Sequence, residues 1–219
     1  MPMSIKVEVW GDYACFSRPE MKVERVSYDV MTPSAARGIL DAIYWHPGLA
    51  WHIDKIHVMN PIAFTNIRRN EVSAKLPATL IKTAMLGGKA PLELIASGVI
   101  AQRAAMVLRD VRYVIEAHFT LTEKAGPSDN AGKFQDTMRR RLARGQCFSQ
   151  PVLGCREFPA NFRAYQGDHV PTAYPDGVRD LGYMLYDMDF SNPKDIQPMF
   201  FRASLENGVL DMAHCEVVR

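Results

Sequence analysis

Residues 111–122, VRYVIEAHFTLT, alternate apolar and polar side chains with a period of two, and this constrains the chain more than any other feature. Val111, Tyr113, Ile115, Ala117, Phe119 and Leu121 fall on one face of a strand, and Arg112, Val114, Glu116, His118 and Thr120 on the other. The first face can line a core, while the second presents a cation, an acid and an imidazole in a row. A sheet fixes the backbone of such a histidine and leaves its ring free to titrate near neutral pH, which suits His118 to meet a ligand. Taken singly, a strand histidine is more often a surface residue without a role. The rest of the chain has to supply the reason for singling it out.

With 219 residues, 47% of them hydrophobic and 23% charged, the chain is long enough for one sizeable core and a smaller satellite. No apolar run has the length of a membrane span, and MPMSIKVEVW leads directly into a strand pattern, so the expected compartment is the cytoplasm with no membrane partner. Four cysteines lack any CxxC pair and six histidines lack HExxH spacing. The expectation is therefore no metal site, no cofactor and no disulfide framework. Net charge is only +2, so what matters is where the cations lie. Arg68 and Arg69 are adjacent, and Lys133, Arg139, Arg140, Arg141 and Arg144 crowd one short segment. Such clustering points to an anionic partner.

In chain order, residues 4–10 read as a strand broken by Gly11 and Asp12, followed by an irregular loop that returns to a short strand near residues 26–30. The loop aromatics Tyr13, Phe16 and Tyr28 can either stack on bases or pack onto the sheet. Thr32 and Pro33 open a helix with the stripe Ala36, Ile39, Leu40 and Ile43, which runs to Pro47-Gly48 with Tyr44, Trp45 and His46 in its last turn. Residues 49–64 read as a long strand with mixed faces, and residues 65–110 as an insertion that includes a helix over 100–108. After the histidine strand, a helix from about residue 133 to 144 turns Phe134, Met138 and Leu142 inward and its arginines outward. PVLGCREF, carrying Arg156, reads as a further strand, and RASLENGVLDM as a hairpin turning at Asn207-Gly208. Strand, helix, strand, insertion, strand, helix, strand is the βαββαβ order of an α+β ferredoxin-like, RRM-like fold. Residues 1–158 are expected to form this domain, with the insertion at about 65–110, and residues 159–219 a small antiparallel C-terminal β domain.

The segments GDYACFSRPE, AIYWHP, NPIAFTNIRRNEV, YVIEAHF, VLGCREF and ASLENGVLDM, in that order, resemble the CRISPR-associated Cas-five family in its type I-C branch. The resemblance runs from the first strand to the last hairpin. It implies a metal-independent endoribonuclease that cuts the repeat hairpin of precursor CRISPR RNA and stays on the 5′ handle of the mature guide. It also implies association with the backbone and large subunits of the type I-C interference complex. Such cleavage is a transesterification by the ribose 2′-hydroxyl, which needs a base, an acid for the leaving 5′-oxygen, and cations for the phosphorane charge. By resemblance, His118 is the general base and Tyr44 orients or protonates an oxygen of the scissile phosphate.

Members of the family often carry lysine two residues before the histidine, where this chain has Glu116. An acid there repels phosphate, so the cation has to come from Lys124, Lys133, Arg68 or Arg156, among which spacing does not choose. The same glutamate is the argument for an alternative, a catalytically silent RNA-binding scaffold that caps the 5′ end of the guide. A third reading, an RRM-like RNA binder outside CRISPR systems, is weakened by the lack of an RNP1-like string. Non-specific duplex DNA stays open as a second partner, since a basic groove is not selective by itself.

Overall fold

The computed structural model describes residues 4–21, 23–213 and 215–219. Strand β1 (Ile5–Ala14) leads to helix α1 (Pro33–Ile43), strands β2 (Leu49–Val58) and β3 (Phe64–Val72), and a short helix α2 (Ala78–Met85). A 3₁₀ turn (Ala96–Gly98) precedes β4 (Ile100–Leu121) and helix α3 (Ala131–Arg144). Then follow β5 (Asn161–Ala164), β6 (Val178–Asp189), β7 (Gln197–Glu206), β8 (Val209–Asp211) and β9 (Val217–Val218). The strands form one sheet in the order β5-β1-β4-β2-β8-β7-β6, with β3 pairing β4 and β9 pairing β7. β4 is antiparallel to both β1 and β2, and β5 is antiparallel to β1. The result is a mixed α and β protein with an antiparallel sheet and few helices. Residues Asn66–Ala105 make one compact unit and the remaining described residues another. Among the described residues no helix is long and apolar enough to cross a membrane.

Both long helices follow from their caps and stripes. The Thr32 hydroxyl accepts from the Ala35 N–H at 3.2 Å, Pro33 stands in the first turn, and Ala36, Ile39, Leu40 and Ile43 are buried. In α3 the Asn130 side chain accepts from the Lys133 N–H at 2.9 Å, and Phe134, Met138 and Leu142 are buried. Phe134 stands edge-on to Phe119 of β4 at 6.2 Å and to Tyr44 at 6.0 Å. Burying one such ring contributes roughly 2 kcal/mol. The hairpin turns where expected, with Asn207 (φ 51°) and Gly208 (φ 78°) both left-handed as a tight two-residue turn requires.

Five expectations give way. α1 stops at Ile43, and Tyr44 is already extended (φ −145°, ψ 103°). Pro47 disfavours helical backbone at His46, and the Tyr44 carbonyl is taken up by Trp51 Nε1 at 3.1 Å, so residues 44–46 follow the helix instead of forming its last turn. Residues 100–108 are strand, the first part of β4, although Ala, Gln, Arg and Leu favour a helix. Pairing with β3, bracketed by the Ser73 N–H to Val99 carbonyl bond at 2.8 Å and the Arg109 N–H to Ala63 carbonyl bond at 2.9 Å, outweighs a propensity of well under ~1 kcal/mol per residue. Residues 151–158 form only a bridge, Val152 to Pro159, around Gly154, and the edge strand is β5. Residues 26–30 contribute isolated bridges through Val26 and Ser27, and β2 ends at Val58, before Pro61.

On β4, Val111, Tyr113, Ile115, Ala117 and Phe119 are buried as the alternation requires. Of the loop aromatics, Phe16 and Tyr28 pack into the core and Tyr13 stays exposed. The opposite face of β4 carries Arg112, Glu116 and His118, and this is the face on which the functional side chains gather.

Candidate active site

The site is built where β2 lies beside β4. His52 and His118 are partners in the register, as are Lys55 and Glu116, and between these pairs β2 carries one more residue than β4. That residue is Asp54. Two residues from His52, it shares the face of His118 by alternation, and Oδ1 lies 2.7 Å from His118 Nδ1. Because a carboxylate only accepts, Nδ1 donates to it, which leaves Nε2 of His118 as the nitrogen available to a ligand. The His52 ring stacks on the His118 ring at 5.0 Å and 17°, and His52 Nε2 is 2.8 Å from Thr120 Oγ1. Burial, and next the charge of His118, hold the pKa of His52 below the ordinary imidazole value.

Two residues along β4, Glu116 is fully engaged. Its Oε1 lies 3.1 Å from Lys6 Nζ on β1 and 3.0 Å from His57 Nε2 on β2. Lys55, the register partner of Glu116, pairs with Asp211 at 2.8 Å, and that hydrogen bond raises the lysine pKa. Burial lowers the pKa of His57 against the pull of Glu116, and His57 Nδ1 is buried with no hydrogen-bond partner among the described residues. Lys6 and Lys55 are thus the cations that flank the acid. Neither stands out from spacing, because strand register, which a single sequence does not encode, is what brings them there.

Other predicted residues are dispersed. Lys124 is exposed in the turn after β4, where its N–H bonds Thr122 Oγ1. Lys133 is exposed on α3 and held by Asp129 at 2.8 Å. Arg156 is exposed in the turn after Gly154, while Arg68 (exposed) and Arg69 (half-buried) lie on β3 within the unit Asn66–Ala105. Arg139, Arg140 and Arg144 are exposed on α3. Arg141 departs from the expected outward row: it donates to the Ile43 carbonyl and lies 4.9 Å over the Tyr44 ring, closing the end of α1 against α3.

Tyr44 and His118 are not brought together. The Tyr44 ring is buried against Phe134 and Arg141, on the side of the sheet that Phe119 faces. His118 precedes Phe119 and projects from the opposite face. Its polar neighbours are instead His52 and Asp54. Among the described residues, no three His, Cys, Asp or Glu side chains converge so as to hold a metal ion.

Residues 4–213 match the family model described as "CRISPR-associated protein (Cas_Cas5)". The chain is 51% identical over 217 residues to the "CRISPR pre-crRNA endoribonuclease Cas5d" of Mannheimia succiniciproducens, covering 97% of this chain and 96% of that one. It is 38% identical over 227 residues to the protein of the same name in Thermus thermophilus, covering 95% and 90%. A solved structure described as "Crystal Structure of CRISPR-associated Protein" superposes with a TM-score of 0.71 at 22% identity, over 100% of this chain and 97% of the other, a likeness of fold.

Proposed function

The chain belongs to the CRISPR-associated Cas5 family, and from that premise we propose that it is a metal-independent endoribonuclease acting on the repeat hairpin of precursor CRISPR RNA. The ribose 2′-oxygen bonds to the adjacent phosphorus as the bond to the 5′-oxygen breaks. One proton leaves the 2′-hydroxyl and one joins the departing oxygen, giving a 2′,3′-cyclic phosphate and a 5′-hydroxyl. No redox change and no external nucleophile are involved, so the requirement is for two proton transfers and for positive charge near the phosphorus.

The observation that carries this reading is His118, held by Asp54 at 2.7 Å on the face of the sheet opposite the helices. A ring locked in one tautomer, with one nitrogen left over, is equipped to move a proton at a bound phosphate. Lys6 and Lys55 supply the nearby cations, and exposed Arg139, Arg140 and Arg144 supply a row for backbone phosphates. Tyr44 is assigned the support of Arg141 and not contact with the phosphate.

We further propose a ferredoxin-like core that runs from β1 through β5, so that its boundary falls after Ala164 and not at 158, supported by the antiparallel order β5-β1-β4-β2 with α1 after β1 and α3 after β4. After cleavage the protein stays on the 5′ handle within the type I-C interference complex. A silent scaffold is the second reading, favoured by the Glu116–Lys6 pair, which neutralises a cation the phosphorane would use. Incubation with the cognate repeat RNA in EDTA separates the two. A single cut by the native protein, lost in His118→Ala while RNA binding is kept, supports the nuclease; tight binding without a cut in either protein supports the scaffold.

A further inference from the structure

Transesterification needs two proton-transfer groups, and His118 is one. We propose that His52 is the second: it takes the proton of the attacking 2′-hydroxyl, while His118, paired with Asp54, gives a proton to the leaving 5′-oxygen. The inference rests on the endoribonuclease reading above and assigns the two halves of its acid–base work. It also reverses the expectation that made His118 the base.

Geometry carries the argument. His52 and His118 are register partners on adjacent strands, their rings stacked at 5.0 Å, so both reach the same side of the sheet within the span of one phosphodiester. Each ring is anchored through a different nitrogen. Thr120 holds His52 at Nε2 and Asp54 holds His118 at Nδ1, which leaves Nδ1 of the first and Nε2 of the second for the two oxygens that flank one phosphorus. His52 is exposed and His118 half-buried, so substrate can reach both.

The roles follow from the surroundings. The Asp54 carboxylate lies where it compensates an imidazolium at His118, as an acid requires. His52 bonds no carboxylate, and partial desolvation under the stacked His118 ring, then the charge of that ring, outweigh the pull of Asp54 and favour its neutral form, as a base requires. Among the described residues, the other charged or titratable side chains on this face include Lys55 and His57 on β2, Arg112 and Glu116 on β4, Lys6 and Glu8 on β1, Arg163 on β5 and Asp211 on β8. Asp168 and His169 approach His57 from the segment before β6.

The test measures cleavage of the cognate repeat RNA in EDTA from about pH 5 to about pH 9. It compares native protein with His52→Ala, His52→Gln and His118→Ala, with RNA affinity followed in parallel. A second RNA carries sulfur in place of the leaving 5′-oxygen at the mapped cut, because a thiolate departs without a proton. Expected on normal RNA is a loss of about a hundredfold in each alanine variant with affinity unchanged. On the sulfur RNA, His118→Ala recovers and His52→Ala does not. The acid limb of the native pH profile falls below the ordinary imidazole range and disappears in His52→Ala. His52→Gln, which can keep the bond to Thr120, stays as slow as His52→Ala. Cleavage by His52→Ala within a few-fold of native, with His118→Ala inactive, overturns the role of His52 and leaves the nuclease standing. Recovery of His52→Ala in place of His118→Ala overturns the division of labour. Native protein that binds the RNA without cutting it overturns both this inference and the endoribonuclease reading.

Discussion

Asp54 reaches His118 Nδ1 at 2.7 Å from a position two residues after His52, the register partner of His118. Alternation places residues 52 and 54 on one face of β2. The bulge between Ile53 and Lys55 then makes Lys55, and not Asp54, the partner of Glu116, which leaves the carboxylate to orient the imidazole. Replacing Asp54 by Asn keeps size and one acceptor but removes the charge. Cleavage in single turnover should fall about ten- to hundredfold while RNA affinity holds. Because the carboxylate acts through the leaving-group step, RNA with a sulfur leaving atom should recover most of that loss. A proportional loss on both RNAs would reduce Asp54 to a packing role.

The arginines of α3 divide into two kinds. Arg139 and Arg140 are exposed, whereas Arg141 is spent on the Ile43 carbonyl and the Tyr44 ring. Alanine at Arg139 or Arg140 should flatten the salt dependence of RNA binding by roughly 0.7 to 0.9 of a slope unit for each phosphate left without its arginine, with melting unchanged. Alanine at Arg141 should do the opposite, costing about 1 kcal/mol of stability with the slope retained. Binding titrations at several salt concentrations, set beside thermal melts, measure both. Equal slopes in all variants would remove α3 from the RNA interface.

What the sequence shows and what it hides divide along the range of the interactions. The period-two run around His118, the Thr32-Pro33 helix start, the Phe134–Met138–Leu142 stripe and the Asn207-Gly208 turn are local patterns, and each folds as its local chemistry dictates. Residues 100–108 mislead because their helix formers are overruled by pairing of β4 with β3, which lies across a connection of more than twenty residues. His52, Asp54 and Lys6 are inconspicuous in the sequence for the same reason: each joins the site through strand register or a bulge. Arg141 shares its outward look with its neighbours, and only the position of Ile43 turns it inward.

Gly154 makes one of those long-range joins. It holds φ +86°, and a Cβ there would lie 2.0 Å from the carbonyl oxygen of Cys15, at the end of β1. The Cys15 N–H also bonds the Leu153 carbonyl at 3.0 Å, so the turn cannot move off without breaking that bond. Gly154→Ala should cost more than about 3 kcal/mol, since strain at positive φ and a backbone clash add. Urea unfolding of the variant checks it; a loss under about 1 kcal/mol would mean that the turn yields freely.

Glu8 sets the pH response of the sheet. It lies in the middle of β1, only 2% exposed, and its two oxygens accept from Arg112 Nε and Arg163 Nε, each at 2.6 Å. Burial by itself would raise the pKa of this carboxyl, but the hydrogen bonds from Arg163 and Arg112 and their charges outweigh burial and hold it below the ordinary carboxylate value. A carboxyl whose folded pKa is depressed stabilises the protein above its unfolded value, about 4.3 for Glu, and loses that contribution as pH falls through the folded value. Both guanidinium groups keep roughly half their surface in water, so removing the charge leaves them partly hydrated. Glu8→Gln should then cost about 2 kcal/mol at neutral pH, toward the lower end for a broken buried pair. In urea titrations the gap between native and variant should hold from about pH 7 down to about pH 5 and close at lower pH. A gap that stays constant into acid would mean that Glu8 contributes through packing and not through its charge.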